Sequence, residues 1–409
     1  SILKRYPNCH LMLIISAMGK TTNALEQILD MFLKRDLVEM QEAITRLRAY
    51  HIDIVNNLYE SENTEISKEV SLLFDNFGKS ISTRIPGKAD LLSYNFEYDQ
   101  IVSFGELVSS LILCRYLTDH GFGSTLFSAP DLILTDSTFR NGKVDWEATS
   151  KNIRQQIGQD YFSGAKKQKV AVTQGFIGNN GKGNITTLGR EGSDYSAAIF
   201  AYTLGVKELT IWKDVPGVMN ADPKWFSNAR KLDQLSFRET IELAYYGASV
   251  IHPKTIKPLE NAEIKLVVKS FINPDEPGTT IENNESAIKT PIYIRKLNQS
   301  LVSMSPRDFS FIVEENLSEI FRVFADYQVK VNLMQNSAIS FSVCADHHHG
   351  LQELVKELQK SYKIRYNDHV ELYTIRHYNT EAVKRVLKNK KVLLEQKTRN
   401  TIQLVVIPE

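Results

Sequence analysis

The stretch from Gln174 to Ala198 contains Gly175, Gly178, Gly181, Gly183, Gly189 and Gly192, set between a short apolar run and an apolar helical pattern. Glycine admits φ > 0 and lets backbone N–H groups approach an anion closely. A glycine-rich loop that ends at a helix N-terminus is a ready anion site. The stretch reads as a loop pair that handles phosphate and carboxylate, although on glycine count alone two ordinary turns fit as well.

At 409 residues the chain is long enough for two or three domains. Its 42% hydrophobic and 24% charged content is that of a globular protein. A net charge of +1 gives no support for a nucleic-acid or membrane surface. Cys9, Cys114 and Cys344 are too far apart for a metal or redox spacing. That points to a reducing, cytoplasmic compartment. No apolar run long enough to cross a bilayer is expected, and Ser1 to His10 does not read as a signal peptide.

Short apolar runs at Leu11–Ile15, Ser128–Leu134, Val170–Thr173 and Leu209–Trp212 read as strands. Helical patterns lie between them, at Asn23–Leu33, Val38–Leu58, Glu65–Ile81, Glu106–Leu117 (after a turn at Ser103–Gly105), Trp146–Ile157, Ser193–Leu204 and Ser236–Ala248. This alternation predicts an α/β fold, a three-layer αβα sandwich on a mostly parallel sheet. Ligands of such sheets bind at the carboxyl ends of the strands, so the loops after Ile15, Thr173 and Trp212 are expected on one edge. His252, before a proline, reads as a turn histidine. Pro274, Pro277 and Gly278 mark a boundary, giving domains 1–284 and 285–409. The second domain has the βαββαβ rhythm of ferredoxin-like modules, one over about 299–369 and another completed by 370–409. His347, His348 and His349 are consecutive and read as a solvated loop, with no metal site.

Six segments together resemble the aspartate kinases of the amino-acid kinase family: SAMGKTTN from Ser16, SFGE from Ser103, GFIG from Gly175, TTLGREGSDYSAA from Thr186, WKDVPGVMNADP from Trp212 and GASVIHP from Gly247. The tail resembles the paired ACT domains of the same enzymes. The resemblance implies transfer of a phosphoryl group from ATP, with Mg²⁺, to the β-carboxylate of L-aspartate, the first step toward lysine, threonine and methionine. It makes Arg190 the bidentate grip on the substrate α-carboxylate and Glu106 the partner of its α-ammonium, with hydroxyls from Ser16, Thr22 and Ser193. Asp194 organises the phosphate side, either by orienting a lysine or through Mg²⁺. Gly175 and Gly178 offer N–H groups to phosphates. Lys213, Asp214, Val215, Gly217, Met219, Asp222, Lys224 and Ser249 surround the nucleotide. An amino-acid effector, lysine or threonine, is implied near Met304, Asn332, Asn336, Ser337 and Ile339, with a homodimer through the ACT domains or a dimer of dimers.

The sequence departs from the family pattern in several places. The family's opening KFGGTS strand, whose lysine contacts the transferred phosphoryl group, is not found before Leu11, so the chain as it stands is expected to turn over poorly. Glu191 stands where glycine is common, and either restrains Arg190 or is solvated. Met219 and Lys224 replace the usual tyrosine and arginine. Asn332 and Ala338 replace two carboxylates of lysine-binding relatives, which weakens the case for a diammonium effector. Two rivals remain, another amino-acid kinase and a non-catalytic amino-acid sensor. Finally, Ser249 replaces a lysine near the phosphates, and Lys213 is the expected substitute. Lys213→Ala should therefore raise the KM for ATP about tenfold or more; steady-state kinetics with an unchanged KM would rule this out.

Overall fold

A computed structural model describes residues 2–7, 9–60, 64–87, 90–162, 168–248, 251–284, 289–308, 310–347 and 349–408. It divides into two compact units, Ser1–Ile211 with Ile251–Val267, and Trp212–Val250 with Val268–Glu409. By compactness, residues 212–250 and 268–284 thus group with the C-terminal segment, a different division from the one expected at 284.

In the first unit β1 (Leu11–Ile15) leads into the helices α1 (Thr21–Lys34), α2 (Leu37–Tyr59), α3 (Glu65–Ser82), α4 (Leu91–Val102) and α5 (Phe104–Asp119). There follow β2 (Gly123–Phe127), α6 (Ala129–Leu132), α7 (Trp146–Ile157), α8 (Gln159–Phe162), β3 (Lys169–Gln174), the hairpin β4 (Ile177–Asn179) and β5 (Ile185–Thr187), and α9 (Gly192–Leu204). Leu25, Ile28, Leu29 and Phe32 recur at helical spacing on α1 and are buried, which is why this segment is a helix on the core. Asp36 caps α2 by accepting from the Glu39 N–H at 3.1 Å.

The strands β1, β3 and β2 pair in that order and all in parallel, with Ile15 opposite Gln174 and Phe127 opposite Thr173. Along β3 successive side chains point to opposite faces. Val170 and Val172 pack with Cys114 and Leu117 of α5, whereas Ala171 packs with Ile153 of α7 and Ile199 and Phe200 of α9. Helices therefore cover both faces of the sheet, as the αβα reading requires. The loops after β1 and β3 leave from the same edge. The third expected loop, after Trp212, belongs to another sheet.

Three expectations are corrected here. Residues 128–134 are not a strand. The strand is β2, just before them, and Ala129–Leu132 make a helical turn with Pro130 near its start, where proline's missing N–H costs nothing. The Ala129 N–H donates to the side chain of Gln174 at 2.7 Å. The turn at Ser103–Gly105 contracts to Ser103 alone, since α5 already begins at Phe104. Finally, Leu91–Asp119 is long and apolar enough to cross a membrane by length and composition alone. It is instead a core helix pair, broken at Ser103 and carrying the buried acids Glu97, Asp99 and Glu106. Glu97 is ion-paired with Arg84.

Beyond α9 the chain forms β6 (Glu208–Lys213), β7 (Gln234–Ser236), α10 (Phe237–Tyr246), α11 (Pro253–Asn261), β8 (Lys265–Ser270) and β9 (Thr279–Glu282). His252 caps α11, its Nδ1 accepting from the Lys254 N–H at 3.2 Å, so it is a turn histidine as read. The four strands order as β6-β8-β9-β7, and the division between units falls within β6 and β8.

The second unit ends in β10 (Ile292–Pro306), α12 (Glu314–Asp326), β11 (Val331–Ser337), β12 (Ser340–Asp346), α13 (His349–Leu358), β13 (Tyr362–Arg376), α14 (Thr380–Leu387), β14 (Lys390–Lys397) and β15 (Thr401–Pro408). Its six strands form one antiparallel sheet, β11-β12-β10-β13-β15-β14. The long β10 and β13 serve two ferredoxin-like modules, joined at bulges between Lys296 and Leu301. β10 runs unbroken from one module into the other, and β14 was not foreseen, because its lysines mask a half-buried edge strand. His347 is not a solvated loop residue. Its Nδ1 lies 2.9 Å from Ser300 Oγ and 3.2 Å from Asp368 Oδ1.

Within this unit Arg376 of β13 donates to Glu239 of α10 twice, at 3.0 and 2.6 Å, and to Glu242 at 3.3 Å and Thr401 at 2.9 Å. Burial pushes the Glu239 pKa up, but hydrogen bonds from His377 and Arg376 outweigh it and bring the carboxyl down from 4.5 to about 2. Arg376→Met leaves that carboxylate buried without its guanidinium and should cost about 3 kcal/mol at pH 7 by urea denaturation. A depressed acid stabilises above its unfolded pKa, so the gap between wild type and variant should shrink as pH falls below 4.5 toward 2. A gap that did not shrink would contradict this.

Candidate active site

The site in the first unit is built from the two loops that leave β1 and β3. After β1, the Ala17 N–H donates to Glu106 Oε1 at 3.2 Å, and the Ser109 hydroxyl donates to the Ser16 carbonyl at 2.8 Å. Helix α5 presses on this loop. A Cβ at Gly105 would lie 2.9 Å from Ala17 Cβ and 3.1 Å from Thr21 Cγ2. Only glycine permits that approach, and it delivers the next residue, Glu106, to the loop. Ser16 is exposed and Thr22 half-buried at the start of α1.

Glu106 is 4% exposed. Burial pushes its pKa up to about 7, against the opposing pull of the Ala17 N–H. Its Oε2 finds no hydrogen-bond partner among the described residues. A buried carboxylate oxygen without a donor is costly, and a cationic group is what relieves it.

After β3, the Gly175 N–H donates to the Ile15 carbonyl at 2.8 Å, which fastens the two loops together. That N–H is therefore engaged in the protein, and the phosphate role expected for it does not fit this geometry. Gly175 is glycine for a different reason: a Cβ there would lie 2.6 Å from Ser193 Cβ and 2.7 Å from its Oγ. Gly178 lies within β4, where a Cβ would meet the Ile133 carbonyl oxygen at 2.8 Å. Phe176 between them takes φ 68°. Its N–H donates to Ser196 Oγ at 2.9 Å and its carbonyl accepts from Leu188 N at 2.8 Å. Ser193 and Asp194 sit in the first turn of α9, where the helix dipole favours negative charge.

Arg190 is exposed, on a turn between Gly189 (φ 85°) and Glu191 (φ 54°). The positive φ explains why glycine suits position 191, and Glu191 holds the left-handed conformation at some cost in strain. Two residues missed in the sequence support this turn. Asp99 of α4, fully buried, accepts from Arg140 N at 3.1 and 2.9 Å, Thr187 N at 2.8 Å and Thr187 Oγ1 at 2.7 Å. Burial still lifts its pKa to about 6. Lys254 of α11 donates to the Asn141 side chain and, at 3.5 Å, to the Leu188 carbonyl; burial lowers its pKa. An acid inside an apolar helix pattern was the available signal for Asp99.

The expected nucleotide segment lies in the second unit. Lys213 ends β6, its carbonyl accepting from Phe271 N at 2.8 Å. Asp214 and Val215 are exposed. Gly217 takes φ 148° and abuts Thr279, whose Oγ1 accepts from Val218 N at 2.8 Å. Met219 bridges to Lys231. Asp222 caps a turn by accepting from Lys224 N at 2.9 Å. Ser249 lies outside the described residues.

Of the expected effector residues, Met304 is fully buried in the module core. Asn332 is engaged internally, accepting from Lys296 Nζ at 2.7 Å and donating to Gln299 at 2.7 Å and Asp346 at 2.8 Å. Asn336, Ser337 and Ile339 are exposed at the β11–β12 hairpin. Burial of Met304 and the internal bonds of Asn332 set both apart from these three.

A model of the amino acid kinase family matches residues 1–270. The chain is 28% identical over 354 residues to Aspartokinase 1, chloroplastic, of Arabidopsis thaliana, covering 84% of this chain and 59% of that protein. It is 30% identical over 356 residues to Aspartokinase 2, chloroplastic, of the same plant, covering 85% and 62%. The chain thus spans about three fifths of the length of these curated relatives. Among solved structures it is similar to Escherichia coli aspartokinase III in complex with lysine and aspartate, with a TM-score of 0.75 at 24% identity over 97% of this chain and 89% of that one. The fold is therefore the one seen in that crystal structure, and, with its family model matched over well more than half of its length, the chain belongs to the amino acid kinase family.

Proposed function

We propose that this chain is an aspartate kinase, transferring the γ-phosphoryl group of ATP to the β-carboxylate of L-aspartate, with feedback control through its ACT modules. The observation that carries the reading is the buried Glu106 carboxylate, whose Oε2 has no hydrogen-bond partner among the described residues, beside the hydroxyl-bearing loop Ser16–Thr22. An α-ammonium group is the natural occupant. Arg190, exposed on its strained turn, takes the α-carboxylate with a planar fork that lysine cannot copy. Ser16, Thr22 and Ser193 contribute hydroxyls around the amino acid.

The acceptor carboxylate has a reference pKa of about 3.9 and is ionised at neutral pH, so no general base is required. The difficulty is bringing one anion onto another, and the chain answers it by positioning and positive field. Asp194 organises the phosphate side of α9. Gly178, Lys213, Asp214, Val215, Gly217, Met219, Asp222, Lys224 and Ser249 belong to the nucleotide side. Mg²⁺ would enter with ATP, held by phosphate oxygens and water, with Asp194 as the carboxylate of this chain on that side, and would neutralise phosphate charge there; no cluster of three or more His, Cys, Asp or Glu suited to a metal occurs among the described residues.

The catalytic region is residues 1–284 and the regulatory region 285–409. A homodimer through the regulatory modules, or a dimer of such dimers, is supported by β11, an edge strand, and by exposed Phe311, Phe321, Met334 and Ile339. The effector is an amino acid, lysine or threonine. Because Lys296 already bonds Asn332, recognition falls to the exposed Asn336, Ser337 and Ile339. The location is cytoplasmic, in keeping with three free cysteines.

Trapping of aspartyl phosphate by hydroxylamine tests the reaction, and calorimetric titration with L-aspartate tests the site. Glu106→Gln should weaken aspartate binding by about 100-fold, since the lost bond is to a charged group. The pH dependence has a definite sign. Protonated Glu106 cannot attract an ammonium, and its pKa is about 7, so aspartate affinity should rise about tenfold from pH 6 to pH 8 and then level off. Glu106→Gln should show no such rise. Nucleotide binding without aspartate binding would leave a non-catalytic sensor as the better reading.

A further inference from the structure

Helix α2 reads in sequence as an amphipathic support, yet two consecutive residues of it reach the loop after β1. His51 is completely buried. Its Nδ1 lies 2.9 Å from the Leu47 carbonyl oxygen, one turn back on the same helix. A carbonyl only accepts, so Nδ1 carries the proton, and burial lowers the pKa so that the ring stays neutral. The other nitrogen, Nε2, is then an acceptor, and the Thr21 hydroxyl donates to it at 3.3 Å. Thr21 is itself 1% exposed, so this bond is not replaceable by water.

The neighbouring Tyr50 meets the same loop two residues earlier. Gly19 takes φ 54°, and a Cβ there would collide with the Tyr50 hydroxyl oxygen. On its other side the His51 ring packs 5.6 Å from Phe74, and Phe74 packs 4.9 Å from Phe104, which directly precedes Gly105 and Glu106. The loop is thus held from two directions. Glu106 and Ser109 of α5 hold Ala17 and Ser16, and α2 holds Gly19 and Thr21.

We propose that His51 is a positioning residue for the amino-acid substrate: by fixing the Thr21 hydroxyl it sets the register of Ser16–Thr22, and so the placement of the Ser16 and Thr22 hydroxyls relative to Glu106. This rests on the kinase reading above for the identity of the substrate. His51 and Thr21 are both buried, so they act through the loop and not on the substrate itself. Their effect is confined to the amino-acid side, because the loop they hold carries no part of the nucleotide segment.

The test uses Thr21→Val and His51→Leu, which remove the hydrogen bond from either end, and the double variant, in the full chain. Each single variant should weaken L-aspartate binding, or raise its KM, about tenfold, with the ATP value changed less than twofold. The double variant should be no worse than the singles, because both remove one shared bond. His51→Gln, which keeps an acceptor, should recover part of the loss. Independently of turnover, amide hydrogen exchange across residues 16–22 should accelerate at least tenfold in Thr21→Val, with the melting temperature little changed. Unchanged exchange there overturns the proposal, as do equal losses for aspartate and ATP or strict additivity in the double variant. A wild-type chain that bound no aspartate would sink the kinase reading, while the exchange rates would still decide whether His51 holds the loop.

Discussion

A carboxylate in a protein interior must be answered by donors or by a cation, and, besides Glu97 with its Arg84 partner, the first unit places two such carboxylates on one broken helix pair. Asp99 receives four hydrogen bonds, from Arg140 and Thr187. In return it ties α4 to the hairpin that leads into the Arg190 turn. Glu106 receives one, from Ala17. The first acid is satisfied and structural; the second is left in deficit and is therefore receptive. The placement of Arg190 depends on the first, and the attraction for an ammonium group depends on the second. The break at Ser103 and the absence of a side chain at Gly105 let one helical run serve both purposes.

The glycines of the site show how much of it was legible. Six of them between Gln174 and Ala198 announced a site, and the strand before and helix after it fixed its place at a sheet edge. Their individual reasons were not legible, because these are long-range. Gly175 clears Ser193, Gly178 clears the Ile133 carbonyl and Gly105 clears Ala17. An N–H read as a phosphate ligand proved to be a ladder bond to Ile15. Periodicity found α1, α2, α3, α5, α7 and α9 of the first unit, since apolar spacing is a local signal. It failed at 128–134, where buried Leu132 and Ile133 look like a strand but belong to a helical turn and its exit. It also failed at β14, where edge exposure hides the alternation behind lysines. Asp99, His51 and Lys254 were passed over because a polar residue in a helix is usually solvated, and only the fold reveals the ones that are not.

The regulatory sheet follows a different logic. One polar network lies where β10 meets β11 and β12, and there Lys296, Asn332, Gln299 and Asp346 bond to one another. Such a network specifies one arrangement only when every member is satisfied. The Arg376 cluster does the same for α10 and β13, with Glu239 and Glu242 both answered by one guanidinium.

The two long strands of that sheet also make the two modules share one piece of backbone. Ile292 pairs with Arg376 at one end of the β10–β13 ladder, and Pro306 with Tyr362 at the other. The ladder is continuous between those ends apart from its bulges, so the outer halves of the strands lie side by side wherever the inner halves do. Because both modules draw on the same two strands, a change that splits the ladder at the bulges near Gln299 is felt in both of them at once.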